Sequence, residues 1–125
     1  TENFRRLMPL PDLAGFDAII TKSILIKELL TPRIHILRYK VDLVDNSILY
    51  VREVTVFEEN KIDYAYQWQR PDTSLIIRWD NAHDYPNLST SPFHKHVGSE
   101  TNVIPSEPMT ISKVLAYISS QLSEG

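Results

Sequence analysis

Apolar and polar positions alternate with a period of two through the middle of the chain, and that period belongs to half-buried strands. Leu37, Tyr39, Val41 and Leu43 are separated by Arg38, Lys40 and Asp42. Asp45-Asn46-Ser47 then supplies turn chemistry, since Asn and Asp bond their own backbone and tolerate tight geometry. ILYVREVTVF at 48–57 is dense in β-branched and aromatic residues and predicts a second strand. After the polar turn Glu58-Glu59-Asn60-Lys61, Ile62, Tyr64, Tyr66 and Trp68 alternate with Asp63, Ala65 and Gln67. Arg70-Pro71-Asp72-Thr73 makes another turn, and Leu75, Ile77 and Trp79 form the inward set of a further strand. Links this short predict antiparallel neighbours, because parallel pairing needs crossovers of about a dozen residues.

The flanks read differently. DAIITKSILIKELL at 17–30 is taken as a first strand from its isoleucines and the Thr31-Pro32 break, although Leu25, Lys27 and Leu29 would also suit a helix. Residues 4–15, with Pro9 and Pro11, are expected to hold one short helix. From 80 to 109 periodicity disappears in a stretch rich in Pro, Asn, Ser, Thr and His, and loops this long commonly carry function. The chain closes with a helix: Thr110 is a candidate N-cap, and Ile111, Val114, Leu115, Ile118 and Leu122 make one apolar stripe. The expected fold is α+β, an antiparallel meander of about five strands with the C-terminal amphipathic helix packed on it.

Length and composition narrow the function classes. The 125 residues suit a single domain spanning 1–125. No cysteine is present, which excludes thiolate metal sites, thiol catalysis and disulfides, and suits a reducing cytosol. Three glycines against eight prolines leave no room for a Gly-rich phosphate loop. No apolar run approaches the ~18 residues of a membrane span and TENFRRLMP lacks a signal-peptide core, so a cytoplasmic protein without membrane contact is expected. The net charge of −3 conceals an asymmetry. Residues 1–40 carry seven basic and four acidic side chains, and the remainder six and twelve. A basic face for nucleic acid would therefore draw on Arg5, Arg6, Lys22, Lys27, Arg33, Arg38 and Lys40, which otherwise form a solvated sheet surface.

Candidate chemistry gathers in the aperiodic stretch, which holds His83, His94 and His96 beside Arg78, Asp80, Asp84 and Lys95. Histidine changes charge nearest neutrality, so such a cluster suits proton transfer. If 94–96 is extended, His94 and His96 share a face and can act as acid and base or bind a metal. Asp80 can orient a histidine. The plainer reading, polar or structural histidines, weighs equally. A metal site is the smaller share of the functional reading, because no third ligand stands at a recognisable spacing; no metal or cofactor is therefore assigned. Ser89, Ser91 and Ser99 lack a nucleophile elbow. Tyr64, Tyr66, Trp68 and Trp79 could stack on bases, but alternating aromatics in strands are more often core. Arg78 can reach solvent or a phosphate, or pair with Asp80 or Glu53.

YAYQWQ at 64–69, RWDNAHDYP at 78–86, PFHKH at 92–96 and IPSEPMT before the last helix together resemble the TumE family over roughly 17–124. The family's pattern has Pro then His after RWDNA; here His83-Asp84-Tyr85-Pro86 stands there, which makes His83 the least supported site residue. The resemblance implies the toxin half of a type II toxin–antitoxin pair from a bacterium or archaeon. It also implies a cognate antitoxin partner carrying a DNA-binding helix-turn-helix. Analogy with other small toxins adds a metal-independent ribonuclease. In that reading His94 and His96 are acid and base with Arg78 and Asp80 beside them, and Lys95, His83 and Trp79 contact substrate. Two alternatives stay open: a non-catalytic module occupying a cellular target, whose toxicity would follow Arg33, Arg38 and Lys40, and a metal-dependent hydrolase. A homodimer is compatible with all three.

Overall fold

The computed structural model describes residues 13–124. Seven strands run in chain order: β1 (Ile20–Leu30), β2 (Ile34–Leu43), β3 (Ile48–Val56), β4 (Lys61–Gln69), β5 (Leu75–Asp80), β6 (His94–Val97) and β7 (Val103–Pro105). They form one antiparallel sheet in which every strand lies beside its predecessor, and α1 (Ile111–Glu124) ends the chain. The α+β meander is as expected, but the strand count corrects the expected five. Both additional strands lie in the stretch read as loop. At four and three residues they are too short to show a period. The helix expected over 4–15 falls outside the described residues except for 13–15, which form a tight turn. Among the described residues no helix is long and apolar enough to cross a membrane.

The turns form as their chemistry dictates. Asn46 and Asn60 take positive φ (73° and 50°), the conformation that Asn tolerates best among residues with a Cβ. Asp45 Oδ1 accepts from the Ser47 amide at 3.0 Å, and Asp72 Oδ1 does the same for Ser74. At the other end, the Lys113 amide donates to Thr110 Oγ1 at 3.2 Å, so Thr110 is the N-cap of α1.

The register places the alternation on two unlike faces. Tyr39, Val51, Tyr66 and Trp79 are successive cross-strand neighbours, as are Val41, Leu49, Trp68 and Ile77, and all are buried. The apolar stripe of α1 (Ile111, Val114, Leu115, Ile118) completes this core. Tyr117 meets the edges of Trp68 and Trp79 with ring centroids 6.3 and 5.7 Å apart. The four strand aromatics considered for base stacking are therefore core. The other face carries Arg38, Lys40, Tyr50, Arg52, Gln67 and Arg78, and no helix among the described residues lies upon it.

Tyr64 and Tyr66 stack at 4.9 Å beneath the start of α1. Burial raises both phenols above the ordinary 10.0; the Met109 amide bond opposes this at Tyr64, and Glu53, which accepts from the Tyr66 hydroxyl at 2.6 Å, adds to it at Tyr66. The sign follows from linkage. The unfolded chain ionises near pH 10 while the folded chain keeps these protons, so their contribution is complete below that pH and fades above it. Phenolate absorbance against pH should show Tyr66 ionising only as the fold is lost and Tyr64 ionising above the pH of an exposed tyrosine. Reversible titration of all six tyrosines near pH 10 in folded protein would contradict this.

Candidate functional site

Asp80 ends β5 and His94 begins β6, and the two are directly paired, as are Arg78 and His96. Side chains two residues apart share a face, so all four project from the face opposite α1. His94 and His96 are thus strand residues rather than loop residues. The connection 81–93 turns back over them, with the Tyr85 ring tilted against His94 at a centroid distance of 4.4 Å. Enclosure is nearly complete: His94 is 0%, His96 4% and Asp80 5% exposed.

Hydrogen bonds fix each imidazole. His94 Nδ1 lies 2.8 Å from the Pro92 carbonyl, and His96 Nδ1 lies 2.8 Å from that of Glu100. A carbonyl only accepts, so each Nδ1 is the protonated nitrogen and donates. Both Nε2 atoms are then turned to the Asp80 carboxylate, at 2.7 Å for His94 (to Oδ1) and 3.5 Å for His96 (to Oδ2). The rings meet edge to face at 5.0 Å. His94 Nε2 is fully buried and, despite its 2.7 Å approach, forms no hydrogen bond of acceptable direction. The carboxylate is anchored from elsewhere: Oδ1 accepts from the Ala82 amide at 3.2 Å and Oδ2 from Arg78 Nε at 3.1 Å.

Arg78 bridges this buried group to the surface. Its remaining nitrogens each lie 2.6 Å from one oxygen of Glu100, a bidentate pair. Burial works to lower the guanidinium's proton affinity, but the bonds to Glu100 and Asp80 outweigh it and the net shift is upward. The hydrogen bond from Arg78 in turn holds the Glu100 carboxyl below its ordinary range. The partners of Arg78 are thus Asp80 and Glu100; Glu53 faces the helix side.

The other residues singled out are dispersed. Trp79 is buried under α1, and Lys95 pairs with it on that same face, in a groove of about 420 Å³ shared with Glu107, Lys113 and Tyr117. His83 is exposed and lines a larger cleft, about 730 Å³, with Tyr64, Phe93 and Met109. Neither buried imidazole lines that cleft. Ser91 Oγ accepts from the Tyr85 amide and Ser99 Oγ meets Thr101, so neither is placed as a nucleophile.

Reading along the chain finds Lys27 and Arg38 as part of a candidate basic face but misses Arg52 beside them. Lys27, Arg38 and Arg52 are neighbours on three adjacent strands, all exposed. Like charges directly opposite one another repel, and no carboxylate among the described residues forms an ion pair with any of the three. Their row continues over Ala65, whose small side chain leaves a depression of about 200 Å³ rimmed by Arg38, Arg52, Arg78 and Tyr50. The signal that could have found Arg52 is register: alternation with the turn at 45–47 sets it opposite Arg38.

The comparisons with known proteins come down to one result. No curated protein and no solved structure matches the chain. The family model described as Toxin TumE matches residues 12–122, which takes in the sheet, the Asp80–His94–His96 group and nearly all of α1. The chain belongs to the TumE toxin family.

Proposed function

We propose that this toxin acts on RNA and holds the strand on the open face of its sheet. The observation that carries the reading is the set of guanidinium groups of Arg38, Arg52 and Arg78 around the depression floored by Ala65. Arg38 and Arg52, neither ion-paired with a carboxylate among the described residues, suit a phosphate group; Arg78 completes the rim while held by Asp80 and Glu100, and Tyr50, 39% exposed there, offers a ring for a base. Lys27 extends the row to the strand at the sheet's edge. Arg78 belongs both to this rim and to the buried group, so a bound strand would pass beside Asp80.

The sharper form of the reading is ribonuclease action at that corner. Proton relay between His94 and His96 is its weakest element, because neither ring turns a nitrogen toward the open face. The cationic rim supports RNA binding independently of how cleavage proceeds. Family membership supports a neutralising antitoxin, and a helix-turn-helix antitoxin remains part of the proposal.

The test uses mixed-sequence single-stranded RNA at several salt concentrations, with cleavage followed in parallel. Replacing Lys27, Arg38 and Arg52 together by glutamine should reduce the slope of log affinity against log salt by about 2, from roughly 0.7 per phosphate contact. Shortening of the RNA by the natural chain and its loss in the triple variant would support the ribonuclease. Binding without shortening would assign a strand-occupying toxin. A slope unchanged by the triple substitution would overturn the RNA reading.

A further inference from the structure

The geometry points to a divalent transition-metal site formed by His94 Nε2, His96 Nε2 and an Asp80 carboxylate oxygen. Because each Nδ1–H donates to a backbone carbonyl, a neutral imidazole keeps its lone pair on Nε2, and both lone pairs face a carboxylate. Two lone pairs set against an anion repel unless something electropositive lies among them. The nearest N–H groups do not fill that role, since Ala82 and Arg78 donate to the carboxylate and not to either imidazole. His94 Nε2, with no solvent access and no hydrogen-bond partner, is the atom left unanswered.

The three donor atoms lie within 4.8 Å of one another. Donors about 2.1 Å from a shared ion sit roughly 3–3.5 Å apart, so small side-chain rotations bring the set to a common centre. Imidazoles that ligate metals through one nitrogen usually donate the other N–H to a carbonyl or carboxylate, which fixes the ring and raises its basicity. Both rings have this arrangement. Two nitrogens and one carboxylate suit a borderline ion such as zinc and disfavour magnesium or calcium, which prefer all-oxygen sites. Three protein donors also leave at least one coordination position that the protein does not fill. Arg78 joins this group to the RNA-facing rim, since it bonds Asp80 and also lines the depression. The inference does not depend on RNA as the target, since metal uptake and strand binding are measured separately.

The full chain, stripped with chelator and dialysed, is titrated with Zn²⁺ and with Co²⁺ as a spectroscopic substitute. The expected result is one ion per chain, with Tm rising by roughly 10 °C once zinc exceeds its dissociation constant a hundredfold. His94→Gln and His96→Gln should each weaken uptake by at least 100-fold, while His35→Gln leaves it unchanged. A readout without any variant guards against misfolding: Co²⁺ should produce two strongly shifted exchangeable imidazole N–H resonances from the natural chain, one for each Nδ1. Absence of stoichiometric uptake, uptake unaffected by both substitutions in folded protein, or fewer than two shifted N–H signals would each overturn the site.

Discussion

Asp80→Ala is expected to destabilise the fold by about 3–5 kcal/mol, the range for removing one partner of a buried charged group. The carboxylate takes up the Arg78 guanidinium on one side and the Ala82 amide on another, with two imidazoles facing it, at 5% exposure. Alanine removes every acceptor at once and leaves Arg78 tied to Glu100 alone. Chemical denaturation of the variant beside the natural chain measures the loss. Asp80→Asn separates charge from shape, because it keeps one acceptor oxygen and should cost less. If alanine and asparagine prove equally mild, below about 1 kcal/mol, the group is not the anchor described here. Growth arrest on induced expression gives the functional readout, and the ribonuclease form of the RNA reading expects it to disappear in Asp80→Asn while the chain still folds.

Trp79→Ala should cost a comparable 3–5 kcal/mol for a different reason, the cavity left by a large buried ring. Trp79 is 3% exposed, neighbours Tyr66 across β4 and β5, and meets the edge of Tyr117 on α1. Its loss removes contact between helix and sheet, so the midpoint of denaturation falls without a new unpaired polar group. Trp79→Phe, which keeps a ring for Tyr117, should recover a large part. The two experiments also separate the faces: Trp79→Phe should leave RNA binding and zinc uptake intact, because its side chain projects away from both. A Trp79→Phe protein that folds but loses RNA binding would place substrate contact on the helix side, as the sequence reading had it.

Much of the sheet was legible because β2 to β5 each present at least three alternating apolar residues, and the turn residues between them are chemically distinctive. The C-terminal helix was legible from its stripe and its threonine cap. The gap from 80 to 109 was not, since β6 carries lysine and valine on one face and two histidines on the other, and such a strand has no apolar period to read. The pair His94 and His96 was foreseen on one face. What sequence spacing could not supply was how Asp80 joins them: it stands fourteen positions before His94 and is brought opposite it only by the β5–β6 pairing. Lys95 and Trp79 show the converse, since each stands between two residues of the buried group (His94 and His96, Arg78 and Asp80) and alternation puts it on the opposite face. Arg52 went unnoticed because its meaning lies in what stands beside it on β2.

The order of the sheet has a consequence for synthesis. Each strand pairs with the one made just before it, so little chain must be closed into a loop before a pairing forms, and local pairings form early. A chain emerging from the ribosome can therefore assemble β1 to β4, with Arg38 and Arg52 already displayed, before His94 and His96 have been translated. The pairing that sets Arg38 opposite Arg52 is thus complete in sequence before the segment carrying His94 and His96 has been made.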